Sequence, residues 1–180
     1  MRLISGSSGG RRLATPTGRG TRPTSDRVRE GLFSSLGSLC GGLSGRSFLD
    51  LYAGSGAVGL EAASRGAGPV VLVERDAGAV KVIKGNLATL GVTDVEIAPT
   101  TVERFLAGTP RAFELVFLDA PYADPVAATL AALTAGWLAP QAVICVERAT
   151  RDPALDWPSG IAALRSRRYG DTTLWYGRAS

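Results

Sequence analysis

Phe48-Leu49-Asp50-Leu51-Tyr52-Ala53-Gly54-Ser55-Gly56-Ala57-Val58-Gly59 decides the fold: a short apolar strand runs into a glycine turn that opens a helix. Gly54 to Gly59 match G-x-G-x-x-G, the spacing that lets backbone approach a nucleotide-like ligand closely. The acid in the strand qualifies that reading. Asp50 stands near the strand's carboxyl end, where a dinucleotide would bring its pyrophosphate, and a carboxylate there repels a diphosphate. S-adenosylmethionine (SAM) has no phosphate and offers an ammonium and a sulfonium, so the same carboxylate favours it. Glu74 follows at the end of the next apolar run, about where an acid accepts both ribose hydroxyls of a nucleoside. Glu74 serves either ligand; Asp50 selects the cation.

Outward from this stretch, apolar runs alternate with helical periodicity. Strands are expected over 48–52, 70–74, 95–98, 113–119 and 142–147. Between them the pattern predicts a helix from the glycine loop to 65 and further helices over 77–90, 102–106 and 126–138. Continuously apolar strands separated by helices indicate a parallel sheet covered on both faces. The tail differs: 161–169 and 172–176, joined at Gly170-Asp171, read as an antiparallel hairpin. Upstream, Val28, Leu32, Leu36 and Leu39 recur at helical spacing behind the capping candidates Thr24, Ser25 and Asp26, which gives an amphipathic helix ending near Gly41-Gly42.

A second constellation, Leu118-Asp119-Ala120-Pro121-Tyr122, follows the fourth strand, in the crevice where open α/β sheets bind ligands. An exocyclic amine on a base is a poor nucleophile because its lone pair is delocalised into the ring. Acceptors on its two N–H groups localise that pair. The Asp119 carboxylate and the Ala120 carbonyl are suitable acceptors, and Tyr122 can stack on a base taken out of its helix. Proton loss can follow methyl transfer, so no strong base is required. That matters here, because the 180 residues include no histidine, which removes Ser-His and Cys-His catalysis and the commonest metal ligand. Cys40 and Cys145 have no second thiol at ligand spacing, so they are expected to be buried fillers and no metal site is expected.

Charge is uneven. Residues 1–29 carry seven arginines against the single acid Asp26, so that segment is +6 and the remainder −2 of a total of +4. The basic segment reads as a flexible arm or small hairpin, with Arg2-Leu3-Ile4 and Arg12-Leu13-Ala14 as extended stretches around a Ser-Gly-Ser-Ser-Gly-Gly turn. Clustered arginine suggests a polyanionic partner, whose phosphates Arg2, Arg11, Arg12, Arg19 and Arg22 would contact. No apolar run reaches the roughly 20 residues of a membrane span. No signal-peptide core follows Met1, and a cytoplasmic location is the expectation.

Together these residues resemble the RsmD family of bacterial methyltransferases, which modify guanine N2 in 16S ribosomal RNA. Four stretches carry the resemblance: Arg22-Pro-Thr-Ser-Asp-Arg-Val-Arg-Glu-Gly-Leu-Phe33, the run from Phe48 through the glycine loop to Ala67, the Asp119 motif, and Tyr169-Gly-Asp-Thr. The first two together are specific, whereas many methyltransferases share the glycine loop. The resemblance implies a Rossmann-like class I SAM-dependent fold with a seven-stranded, mostly parallel sheet whose last strand is antiparallel. Residues 26–180 would form the methyltransferase domain and 1–25 a basic arm that holds RNA. It further implies SAM contacts at Asp50, Tyr52, Gly54, Gly56 and Glu74, with Ala53, Ser55 and Arg75 alongside, and Thr24, Asp26 and Arg27 bordering the pocket. Catalysis would lie at Asp119, Ala120, Pro121 and Tyr122. The implied partner is the small ribosomal subunit, at the guanine numbered 966 in the usual 16S convention, and a monomer is expected.

Two positions depart from the family's pattern. Ala120 replaces the first proline of Asp/Asn-Pro-Pro-Tyr/Phe; Pro121 still biases Ala120 toward extended angles, so the expected loss is preorganisation worth about 0.4–1 kcal/mol. Thr101 stands where the family tends to carry an acid that meets the adenine amino group, and its hydroxyl can still accept that bond. Three rivals remain open. A DNA adenine or cytosine amino-methyltransferase would share the Asp119 pocket but usually carries extra target-reading segments. An RNA-binding protein that retains SAM without turnover would fit Ala120, and an NAD enzyme is opposed by Asp50.

Overall fold

Two four-residue strands, Phe48–Leu51 (β1) and Val70–Val73 (β2), are buried at every position, which only a strand in the middle of a doubly covered sheet can be. The computed structural model describes residues 1–16, 25–121 and 126–180. Helix α1 (Asp26–Cys40) precedes β1, and α2 (Ala57–Ser64) follows it. After β2 come α3 (Ala77–Leu90), β3 (Val95–Ala98), α4 (Val102–Leu106), β4 (Phe113–Leu118) and α5 (Val126–Leu133). The chain ends with β5 (Leu138–Ala149), β6 (Ile161–Tyr169) and β7 (Thr172–Ala179). The seven strands form one sheet in the order β3-β2-β1-β4-β5-β7-β6. Only β7 runs against the others, antiparallel to both β5 and β6. This is the expected sheet.

Alternation along the strands divides the core. On one face Val28, Leu32 and Leu36 of α1, Val58 of α2 and Ile83 of α3 pack on Phe48, Leu72, Leu115 and Phe117. On the other, Val102, Leu106, Leu130 and Leu133 cover Leu49, Leu51, Val71, Val116 and Ile144. Helix boundaries follow local chemistry: Ser25 accepts from the Val28 N–H to cap α1, and Asp76 accepts from Ala79 N–H at 2.7 Å to cap α3. Among the described residues no helix is long and apolar enough to cross a membrane.

Several boundaries differ from the sequence reading. Helix α5 stops at Leu133 rather than 138, because Gly136 takes φ +96° and Leu138 already pairs with Phe113 as the start of β5. Strand β7 runs on to Ala179, which pairs with Ile161. Strand β1 ends one residue early because Tyr52 adopts φ +65°, a left-handed conformation that a bulky residue takes only where surrounding structure imposes it.

Of the two readings of the basic segment, residues 1–16 take the small hairpin, and it is docked on the helices. An antiparallel bridge joins Arg2 to Arg12, and Leu3 and Leu13 bury against Ala57 and Leu60 of α2 and Leu90 of α3. Glu61 of α2, wholly buried, accepts the N–H groups of Ile4 at 2.7 Å and Ser5 at 3.0 Å and pairs with Arg65 at 2.8 Å. The hairpin therefore replaces solvent over α2.

Candidate active site

The glycine loop is shaped by close packing. A Cβ on Gly59 would lie 2.0 Å from a Leu72 methyl, so only glycine lets α2 press onto β2 and begin directly above β1. Gly54 and Gly56 take φ +56° and +76° and turn the chain between the two elements. A Cβ on Gly54 would meet nothing within 4 Å, so the loop opens onto free space there.

Two acids brace this loop. Glu74 accepts from the N–H of Gly54 and of Asp76, each at 2.7 Å, and so holds the loop against the start of α3 while each oxygen keeps a further lone pair. Asp50 accepts from the Gly59 N–H at 2.9 Å and is only 1% exposed. Burial pushes its carboxyl up to about 8, the charges of Asp119 and Glu74 push the same way, and the Gly59 N–H opposes them. Asp50 thus acts from beneath the loop, as the tether of α2.

Register brings the second constellation alongside. Leu51 of β1 pairs with Leu118 of β4, so Tyr52 and Asp119, the next residues, leave neighbouring strands at the same edge of the sheet. Asp119 and Ala120 are half-buried and Pro121 is exposed. Burial raises the Asp119 carboxyl to about 6. The Tyr52 hydroxyl lies 3.3 Å from that of Thr129 on α5, which ties the strained residue to the helix after the Asp119 turn. Asp119 and Glu74 therefore stand near the buried Asp50 and, with its burial, raise the cost of its charge, which a cation bound nearby would relieve.

The remaining predicted residues divide. Ala53 donates to Val73 O at 2.9 Å, and the Ser55 carbonyl accepts from Asn86 at 3.4 Å, so both fix the loop's backbone. Arg75 is exposed beyond Glu74. Thr101 is half-buried and spends its hydroxyl as the cap of α4, accepting from Arg104 N–H at 3.2 Å. Asp26 and Arg27 are exposed at the start of α1, with Asp26 2.6 Å from the buried Arg29. Thr24, Tyr122, Arg19 and Arg22 lie outside the described residues. In the hairpin, Arg11 donates to the carbonyls of Thr89 and Leu90 at the end of α3, and Arg2 donates to Gly10 O at 3.1 Å. Arg12 is exposed.

Sequence reasoning missed Glu61 and Asn86. Asn86 is 3% exposed, exchanges hydrogen bonds with Ala14 N–H at 2.8 Å and Ala14 O at 3.1 Å, and also reaches Ser55 O. It links the hairpin to the glycine loop. A usable signal was present for Glu61, a lone acid inside the apolar helix Ala57-Val-Gly-Leu-Glu-Ala-Ala-Ser64, where burial demands a partner.

The comparisons with known proteins bear on this geometry. A family model described as Conserved hypothetical protein 95 matches residues 1–178. Ribosomal RNA small subunit methyltransferase D of Escherichia coli K12 is 40% identical over 151 residues, covering 82% of this chain and 74% of that protein. The chain belongs to the RsmD family. The enzyme of the same name from Haemophilus influenzae is 34% identical and covers 94% of this chain and 89% of its own length. The solved structure of Escherichia coli yhhF superposes with a TM-score of 0.90 at 32% identity, over 100% of this chain and 98% of that one. A protein of Thermus thermophilus superposes with a TM-score of 0.81 at 34% identity, over 98% of each chain. The RsmD sheet seen here is that of class I methyltransferases.

Proposed function

We propose that this RsmD-family chain transfers a methyl group from SAM to the exocyclic N2 of a guanine in 16S ribosomal RNA of the small ribosomal subunit. Residues 26–180 are the catalytic domain in this reading, and residues 1–25 its appendage. The observation that carries it is the β1–β4 register, which sets Asp119 beside the glycine loop at one edge of the sheet. The names of the relatives, ribosomal RNA methyltransferases D, support the substrate class.

The residues fit SAM by the chemistry of their donors. Glu74 keeps acceptor capacity for ribose hydroxyls, Gly54 faces free space, and the carboxylate field favours a sulfonium over a diphosphate. Bound there, SAM supplies an electrophilic methyl. Asp119 and the Ala120 carbonyl accept the two N–H groups of the guanine amine and localise its lone pair, and Tyr122 stacks on the base, worth roughly 1–3 kcal/mol. Asp119 must be ionised to accept, so activity should fall as pH drops through about 6, the value to which burial raises it.

The test is mass spectrometry of 16S rRNA, taken from cells lacking this protein and incubated with the enzyme and SAM. Wild type should add one methyl to one guanine. Asp119→Ala should lose roughly 10²–10³-fold in rate while SAM affinity stays close to wild type. Wild type that leaves rRNA unmodified, or methylates DNA instead, overturns the proposal.

A further inference from the structure

Three cations on β6 have no acid to answer them among the described residues. Arg165, Arg167 and Arg168 lie on the edge strand of the sheet, and among the described residues none of them forms an ion pair. They border a shallow groove of about 500 Å³ that also includes Ser166 and Tyr169. A second hollow of about 200 Å³ continues it onto α1, between Arg165, Arg167 and Tyr169 on one side and Gly31, Ser34 and Ser38 on the other. Gly31 is needed at this contact, since a Cβ there would lie 2.2 Å from the Tyr169 ring.

The groove is built rather than incidental. Arg165 is pinned: its Nη2 donates to Ser35 O at 3.2 Å and its guanidinium lies 5.6 Å over the Tyr176 ring. Arg168 donates to Gly170 O at 3.0 Å. Arg167 is exposed, one alternation along from Arg165 on the same face, so their Cα atoms are about 7 Å apart. Ser34 and Ser38 sit one helical turn apart on α1 and add hydroxyl donors. The lining is arginine, serine, glycine and one tyrosine, without the apolar centre of a protein interface. Arginine forks with hydroxyls beside them suit phosphate oxygens.

Position supplies the second argument. Strand β6 is antiparallel to β7, and β7 to β5, so β6 points the same way as β1 and β4. Its carboxyl end, from Arg167 to Tyr169, therefore opens at the edge of the sheet where Asp119 lies. Three strand spacings separate β6 from β4, about 14 Å.

We infer that the groove along β6, continued onto α1, binds the sugar-phosphate backbone of the RNA strand that flanks the target guanine, chiefly through Arg167, with Arg168 at its outer border and Arg165 as its pinned wall. The inference rests on the proposed function and adds a phosphate contact separate from the hairpin, where Arg2 and Arg11 donate to carbonyls and Arg12 is exposed. The groove holds the strand while the base is presented to Asp119.

The experiment measures binding of a 16S rRNA transcript and of intact small subunits across a salt series, for wild type and for the Arg167→Ala/Arg168→Ala double variant. The variant should bind the transcript roughly tenfold more weakly, and its log K against log salt slope should be shallower by about 1.4, two phosphate contacts on a single strand. SAM affinity should match wild type, which reports an intact fold, and Arg167→Lys/Arg168→Lys should recover most of the slope. An unchanged slope in a protein whose wild type methylates rRNA overturns this inference alone. Loss of binding to subunits but not to the transcript overturns it as well, in favour of a ribosomal protein as the partner. A wild type that neither binds nor methylates rRNA overturns the proposed function and this inference together.

Discussion

The N-terminal hairpin and the β6 edge are both rich in arginine, and they differ in what surrounds the uncommitted one: Arg12 stands exposed on the hairpin, whereas Arg167 borders a groove. In the hairpin, Arg11 closes the carbonyl end of α3 and Arg2 steadies its own turn. On β6, Arg165 and Arg168 donate to Ser35 O and Gly170 O, but Arg167 makes no hydrogen bond or ion pair among the described residues, and the groove beside it is lined with donors. A cluster of like charges in sequence therefore does not tell where a polyanion binds. What decides is whether the guanidinium groups are already committed to the fold, because a committed donor must break a bond before it can make another.

The contrast can be broken most sharply at Glu61. Glu61→Ala removes a fully buried carboxylate that receives two hairpin N–H groups and Arg65, so it should lower stability by about 3 kcal/mol in urea unfolding. A change near zero would mean that the hairpin is held by Leu3 and Leu13 alone. Asn86→Ala should have a smaller effect, about 2 kcal/mol, because it frees both bonds to Ala14 and the one to Ser55. SAM binding should weaken with it, since the loop carbonyl loses its donor; unchanged SAM affinity would separate the hairpin from the loop. Arg167→Ala should shift the unfolding midpoint least, within about 0.5 kcal/mol, as expected for an exposed side chain without a partner. A larger loss would show that this arginine is structural like those of the hairpin.

The same contrast explains what could be read in the sequence. Fully apolar strands and the glycine turn declare a doubly covered sheet, and the capping residues Ser25 and Asp76 sit where the chain needs them. Glu74 and Asp119 were legible as candidate site residues because each directly follows a strand, Glu74 after β2 and Asp119 after β4. The burial of Asp50 was not, since a carboxylate beneath a loop and one beside it share a sequence. Docking of the hairpin was hidden for a related reason: Leu3 and Leu13 are its only large buried apolar side chains, and its bonds to Glu61 and Ser64 are made mostly by backbone groups that every sequence possesses. The early start of β5 was hidden by Gly136 and Gln141, whose positive φ angles re-aim a segment that reads as the end of a helix.

The proposed uptake of SAM is electrostatic at its centre: Asp50, buried and close to Asp119 and Glu74, would regain its charge beside a sulfonium nucleoside. Burial raises Asp50 to about 8, which favours its protonated form at pH 7, and a cation nearby should lower it and drive the proton off. Calorimetric titration of SAM at pH 7, in buffers of different ionisation enthalpy, reads both events. Saturable one-to-one uptake with proton release, and no release from Asp50→Asn, is the predicted result; a folded protein that takes up no SAM, or takes it up with no proton exchanged, would contradict it.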